Sequence, residues 1–428
     1  MVGPDISSIK LSLEQDERNI NANPARYNRV MLKFIFLLLV SLPIFAESNN
    51  NNLSFEDEFA NFITEFKTTA RNEGISEKAI NLVLDSSSFT PEVIRFDRTQ
   101  AEFTQTFWNY LDKRVSRYRI DEGRKQLSLN RKSLNQISKK YGVPAHVIVA
   151  FWGLESNYGS NTGSFRLSDA LSTLSSDQRR SEFFQGELLN FMRLVDKGYL
   201  SHDTKGSWAG AMGGVQFMPS NVLNYAVDSN GDGKIDLWNT QEDIFESAAN
   251  FLKILGWKRG FKWGREVQLS SDFDFSISGL KTKKTLTEWS TLGVNSADGS
   301  ALPQANITAS VILPGGHRGP AFLIYDNFNV IMKWNRSILY AIAVGHLSDQ
   351  FIADKKLLTQ KIIEKPLSKS DIMMIQSKLN KLGFDTGEPD GIAGPKTRSA
   401  ARNYQIQNNL RADGYIGEEL LNFLLKTR

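Results

Sequence analysis

Residues 151–159 read FWGLESNYG, and Glu155 is an acid in a run that otherwise reads as buried. Pro144 suits the first turn of a helix, and Ile148, Phe151, Trp152 and Glu155 follow at spacings that share one helical face. Gly159 suggests that this helix ends just beyond Glu155. Burial in an apolar stripe disfavours a carboxylate, and so does the negative end of a helix. A glutamate so placed could stay protonated near neutral pH and donate its proton, as the general acid of a glycosidase must. The competing reading is a structural glutamate bonded to a buried backbone group or an arginine.

Residues 206–220, GSWAGAMGGVQFMPS, shift the balance. Small residues there allow close backbone approach, and Ser207 and Gln216 supply hydrogen-bonding groups, as in the lining of a cleft for a polar polymer. The chain around this region has 428 residues, 41% hydrophobic, which is enough for more than one domain. Its 51 basic and 47 acidic residues are spread without the basic tract expected for nucleic-acid binding. With no cysteine, disulfides, thiolate metal sites, cysteine nucleophiles and a lipid-modified cysteine are excluded. The four histidines stand singly, with no His-Glu-x-x-His pattern for zinc, and read as surface or packing residues.

Along the chain, Lys33, the apolar run Phe34–Val40, Pro43 and Ala46 read as a secretory signal over residues 31–46, with Met31 as the expected start. The run is shorter than the roughly 20 residues that span a bilayer. A polar spacer occupies 47–54, after which residues 55–260 carry apolar side chains at helical spacing. Between about 265 and 330, short apolar stretches broken by Gly, Pro and Asp predict a small β element. Helix returns at RSILYAIAVGHLSDQF, and a charged stretch over 351–366 reads as a linker. In residues 367–426, PDGIAGPKT and ADGYIGEE repeat one device, an Asp-Gly turn followed by an amphipathic helix, which predicts a compact helical unit of two similar halves.

The segments GLESNYG, SWAGAMGGVQFMPS, DSNGDGKIDLWN and SAANFLKILGW, in this order, resemble the lytic murein transglycosylases of the membrane-bound B type over roughly residues 55–350. The resemblance implies a mainly α, lysozyme-like catalytic domain with a small β element. It also implies cleavage of the MurNAc-GlcNAc β-1,4 bond of peptidoglycan, with formation of 1,6-anhydro-MurNAc and without an organic cofactor. It makes Glu155 the acid and then the base, and Ser207 and Gln216 substrate-positioning groups. In KWNRSILYAIAV it places Asn335 and Tyr340 in the cleft, with Trp334 as the usual aromatic; Phe251 stands where relatives can carry a tyrosine. Residues 367–426 resemble the peptidoglycan-binding module of bacterial cell-wall enzymes, a signature of turn structure in which Asp390, Gly391 and Pro395 shape the fold. The implied setting is the periplasm of a Gram-negative bacterium, with glycan strands as partner; wall-synthesis and division proteins stay unassigned. A hydrolase of the same fold and a non-catalytic wall-binding protein are the rival readings.

DSNGDGKIDLWN also matches most of an EF-hand loop: Asp228, Asn230, Asp232, Gly233 for the turn, the Lys234 carbonyl and Asp236. Asn239 stands where a bidentate glutamate belongs. The resemblance places an acid a few residues later, Asp243 before Glu242, and a structural Ca²⁺ is the expected occupant. A metal-free Asp/Gly-rich turn is the alternative.

Overall fold

A computed structural model describes residues 54–98 and 105–426; the expected signal segment lies outside them. The first described helix, Phe55–Asn72, begins where the polar spacer was expected to end. Ser54 accepts a hydrogen bond from the Asp57 amide, and the Asp57 carboxylate accepts from the Ser54 amide, so two otherwise unpaired N–H groups satisfy each other's side chains.

The helix Ala145–Ser156 is the centre of the main core. Its residues Ile148, Val149, Ala150 and Phe151 are fully buried, and Val147, Trp152 and Leu154 are nearly so. A helix apolar on every side belongs inside a protein, and the helices Arg117–Leu129, Arg131–Tyr141, Gln241–Ile254 and Ile338–Ile352 pack around it. The expected one-sided stripe is therefore a helix enclosed all round, with Glu155, in its last turn, as a half-buried exception.

The predicted β element is a five-stranded antiparallel sheet. It uses β3 (Gly264–Leu269), β4 (Lys284–Thr285), β5 (Val294–Ser296), β6 (Thr308–Ile312) and β7 (Ala321–Ile324), in the order β4-β6-β7-β3-β5. Two short strands precede them, β1 (Phe165–Arg166) and β2 (Lys205–Gly206), paired antiparallel. Side chains alternate across a strand, and β6 and β7 use both faces. Ile312, Phe322 and Ile324 join the main core, while Val311 and Leu323 join a second core around Trp289 and Val267. Trp289 also donates its indole N–H to the Ala309 carbonyl at 2.9 Å.

In the C-terminal unit, the helices Lys369–Lys381, Pro395–Gln407 and Glu418–Lys426 close over Ile375, Leu379, Ala401 and Leu424. The repeated Asp-Gly device proves to have a third member. Gln376 donates to Asp390 at 2.9 Å and accepts from the Gly391 amide at 2.9 Å; Gln405 donates to Asp413 at 2.9 Å and accepts from the Gly414 amide at 2.8 Å. Gly391 and Gly414 take φ of 76° and 67°, a left-handed turn that glycine adopts without strain. Pro395 opens the next helix, as its fixed φ favours.

The expected linker is strapped down. Both Glu266 carboxylate oxygens accept from the strap, at 2.8 Å from the Leu358 amide and 2.8 Å from the Thr359 amide, and Lys361 pairs with Asp112. Tyr415 donates to Glu364 at 2.8 Å. The C-terminal unit is itself docked on the sheet region. The His317 amide donates to Asp413 Oδ2 at 2.8 Å, His317 Nδ1 lies 2.7 Å from the same oxygen, and Arg402 donates to the Ser278 carbonyl at 2.8 Å. So His317, read from sequence as a lone surface or packing residue, is an interface group.

Burial opposes the charge on Asp413, but hydrogen bonds from His317, the Tyr415 amide and Gln405 outweigh it and hold the carboxyl below its usual range. A carboxyl lowered in the folded state stabilises above its unfolded pKa of about 4 and loses that contribution as pH falls through the lowered value. Asp413→Asn should therefore cost about 2 kcal/mol near neutral pH, the scale of hydrogen bonds to a buried charge, with the deficit shrinking toward pH 2. Chemical unfolding of both proteins across pH measures this; a deficit independent of pH would mean that the carboxylate charge plays no part.

Candidate active site

Glu155 lies one residue before the end of its helix, and three restraints fix that end. Asn157 takes φ 51° and closes the helix in the left-handed region. The fully enclosed Ser156 hydroxyl donates to the Gly214 carbonyl at 2.6 Å and accepts from the Gly159 amide at 2.9 Å. The Gly153 carbonyl, in the last turn where helical partners run out, accepts from Arg119 Nε at 3.1 Å. Arg119 also donates to the carbonyls of Lys113 and Arg114, at 2.9 and 3.0 Å, and its own carbonyl accepts from the Tyr158 hydroxyl. One guanidinium thus ties the helix end to the turn before Arg117–Leu129.

Tyr340, on the helix Ile338–Ile352, donates its hydroxyl to Glu155 Oε1. Burial first, and then the nearby Glu155 charge, push the phenol well above its usual range, so it stays a donor. The Arg114 guanidinium, whose charge opposes that rise, sits 5.5 Å from the Tyr110 ring centre.

Residues 206–217 form a folded-back loop attached to Ser156. Its Met212 and Phe217 exchange both backbone hydrogen bonds, at 2.9 and 3.0 Å. Ser207 accepts from the Ala211 amide at 3.0 Å. Gln216, at φ 48°, spends both amide hydrogens on the carbonyls of Thr162 and Gly213, at 3.2 and 3.1 Å, which leaves Oε1 as the group it can present. Close approach demands small residues here: a Cβ on Gly163, whose φ is 97°, would fall 2.0 Å from the Gly206 carbonyl carbon.

Asn335 ends the helix Asp326–Trp334 and accepts from the Ser337 amide at 3.1 Å. Trp334 beside it packs on Phe151, Phe251 and Phe217, with ring centres 4.4, 5.1 and 5.5 Å away. Phe251 is buried there and stacked on Tyr225, so it serves the aromatic floor. The structure thus joins Glu155 directly to Tyr340 and fastens the loop of Ser207 and Gln216 to the neighbour of Glu155. Arg119, Arg114 and Tyr110 escaped sequence reading, because no motif marks them and their partners are distant along the chain.

The loop 228–239 is wound around its own carboxylates. Asp228 accepts from the amides of Gly231 and Gly233 at 2.8 Å each, Asp232 from Lys234 at 2.9 Å, and Asp236 from Trp238 at 2.8 Å. Asn230 accepts from the Asp232 amide at 3.0 Å. Gly233, at φ 84°, makes the sharp turn. Asp243 is buried and accepts from the amides of Ser229 and Asp236, at 2.8 and 2.9 Å, one on each oxygen, so it ties two points of the loop together and keeps a lone pair on each oxygen. Burial first, and then the charges of Asp228 and Asp232, raise its pKa. Glu242 is exposed beside it, and Asn239 bonds to Asp236. The donors are all hard oxygens, the set that suits Ca²⁺, although among the described residues no three acidic or imidazole groups gather as a metal cluster. The Gly214 amide donates to the Leu237 carbonyl at 2.6 Å, which couples this loop to the glycine-rich one.

Comparison with known proteins matches residues 58–349 to the Transglycosylase SLT domain and residues 368–424 to a peptidoglycan binding domain. Membrane-bound lytic murein transglycosylase B of Escherichia coli K12 is 35% identical over 229 residues, which are 50% of this chain and 59% of that protein. The match thus spans less than two thirds of that relative. SltB3 of Pseudomonas aeruginosa, solved in complex with NAG-anhNAM-pentapeptide, is 39% identical with a TM-score of 0.82, covering 86% of this chain and 99% of that one. The Escherichia coli lytic transglycosylase Slt35, solved in complex with calcium, is 29% identical with a TM-score of 0.59, covering 69% of this chain and 93% of that one.

Two glycines should respond in opposite directions. Gly163→Ala combines a left-handed φ with an atomic overlap and should destabilise by about 3 kcal/mol. Gly186→Ala, in the helix Ser181–Asp196 with no atom within 4 Å of the added Cβ, should stabilise by about 1 kcal/mol through helix propensity. Urea unfolding of both variants checks the pair.

Proposed function

Since the chain belongs to the SLT transglycosylase family, we propose that it is a lytic murein transglycosylase, a carbon-oxygen lyase that cuts the MurNAc-GlcNAc β-1,4 bond and leaves a 1,6-anhydro-MurNAc end. The observation that carries the reading is Glu155, half-buried at a pinned helix end with the Tyr340 hydroxyl on its carboxylate. Glu155 gives its proton to the glycosidic oxygen as the C1–O bond breaks, while the substrate's own N-acetyl group supports the anomeric carbon. The carboxylate so formed then takes the proton from the MurNAc C6 hydroxyl as that oxygen bonds to C1. One acid therefore serves twice, and no second carboxylate is needed to activate water, unlike the usual glycosidase pair. Tyr340 orients the carboxylate, and Ser207, Gln216 and Asn335 hold the sugars. Residues 367–426 hold the enzyme to glycan strands.

The setting proposed is the periplasm of a Gram-negative bacterium; among the described residues no helix is long and apolar enough to cross a membrane. Asp228, Asn230, Asp232, the Lys234 carbonyl, Asp236 and Asp243 would hold a Ca²⁺, which supplies structural charge neutralisation to the loop.

Glu155→Gln should keep the wild-type melting temperature and yield no anhydro product from isolated sacculi, by mass spectrometry of the digest. Reducing MurNAc ends from the wild-type protein would identify a hydrolase instead, and absence of any product from the wild type would favour a wall-binding role. For the metal, a ligand bound only by the native state raises stability by mass action. Calcium should raise the melting temperature, a chelator should reverse it, and Asp232→Ala should abolish the response. Identical melting with and without calcium would make the loop an ordinary turn.

A further inference from the structure

A cavity of about 660 Å³ lies where three parts of the chain meet: the loop Gly315–Arg318 beside β7, the strap at Ile362–Glu364, and the last helix of the C-terminal unit with the turn before it. This is the size range of ligand pockets. Its floor is built and polar: His317 on Asp413 and Tyr415 on Glu364 are the contacts that dock the C-terminal unit. Its rim carries exposed charge of both signs. Arg411 is exposed and forms no ion pair with a described residue; Arg318 is exposed as well, and its charge favours the Glu364 carboxylate on the floor. Glu418 and Glu419 are exposed at the start of the last helix, Glu418 acting against the Glu364 charge and Glu419 lying 3.7 Å from His317 Nε2.

We propose that this groove is a second substrate-contacting site, which takes the peptide portion of peptidoglycan: a short chain bearing free carboxylates and an ammonium group. The proposal rests on the wall-cleaving reading above, but concerns a different part of the substrate. A sugar strand asks for flat aromatic faces and neutral amides, whereas free guanidinium groups grip carboxylates through paired N–H donors and free carboxylates take an ammonium. Because the catalytic region, the strap and the C-terminal unit each supply one wall, the site exists only while that unit is docked. A peptide bound there therefore favours the docked state by mass action.

The test uses the full chain and a synthetic tripeptide with two free carboxylates and one ammonium side chain, carrying no sugar. Titration should shift the backbone amide resonances of Gly316, Tyr415 and Gly417. The double variant Arg318→Ala/Arg411→Ala should melt like the wild type without peptide and bind it at least tenfold more weakly. Unmoved resonances, wild-type affinity in the double variant, or the same shifts produced by a peptide-free glycan oligomer would each overturn the proposal. The peptide contains no glycosidic bond, so its binding is read independently of cleavage, and failure of either reading leaves the other measurable.

Discussion

The bond from the Ser156 hydroxyl to the Gly214 carbonyl is the constraint on which the site depends. It joins an enclosed helix to a loop rich in glycine, whose backbone approaches its neighbours closely. A buried hydroxyl is normally paired, and this one, 3.2 Å from the Trp152 carbonyl of its own helix, makes its shorter contact, 2.6 Å, with the loop. Through Gly214 the same loop reaches Leu237 and the carboxylate-wound turn, so the end of the Glu155 helix, the glycine-rich loop and the candidate metal loop are joined by consecutive main-chain contacts. Precision here comes from main-chain contacts at close range, which explains why glycine and serine recur where bulky residues would give more hydrophobic area.

Much of this was legible because the informative features were local. A proline, a run of apolar residues and a glycine define the Glu155 helix, and strands announced themselves between 265 and 330 by their breaks. What sequence spacing cannot express is enclosure. A helix buried on all sides has no stripe to read, so the half-exposure of Glu155 had to come from its place in the final turn. The order β4-β6-β7-β3-β5 was equally out of reach, since it depends on partners distant along the chain.

The same limit hid the charged groups that do structural work. Arg119 looks like one more charge on a polar helix, yet three backbone carbonyls converge on it. The charged stretch after the catalytic region reads as solvated until its amides are seen capping Glu266 and its lysine meeting Asp112. In the C-terminal unit, Gln376 and Gln405 look like ordinary helical polar residues; each completes an Asp-Gly turn that the repeat alone left unfinished.

The two copies of that turn differ in one respect. Asp390 serves its own half, whereas Asp413 turns its second oxygen outward to His317. In the second copy one carboxylate oxygen thus serves the turn and the other serves the docking contact, so a fold element is also an attachment point. Because the strap keeps both surfaces on one chain, each separation is followed by reunion at a local concentration set by a short tether. Contacts too weak to hold two independent molecules together are sufficient here.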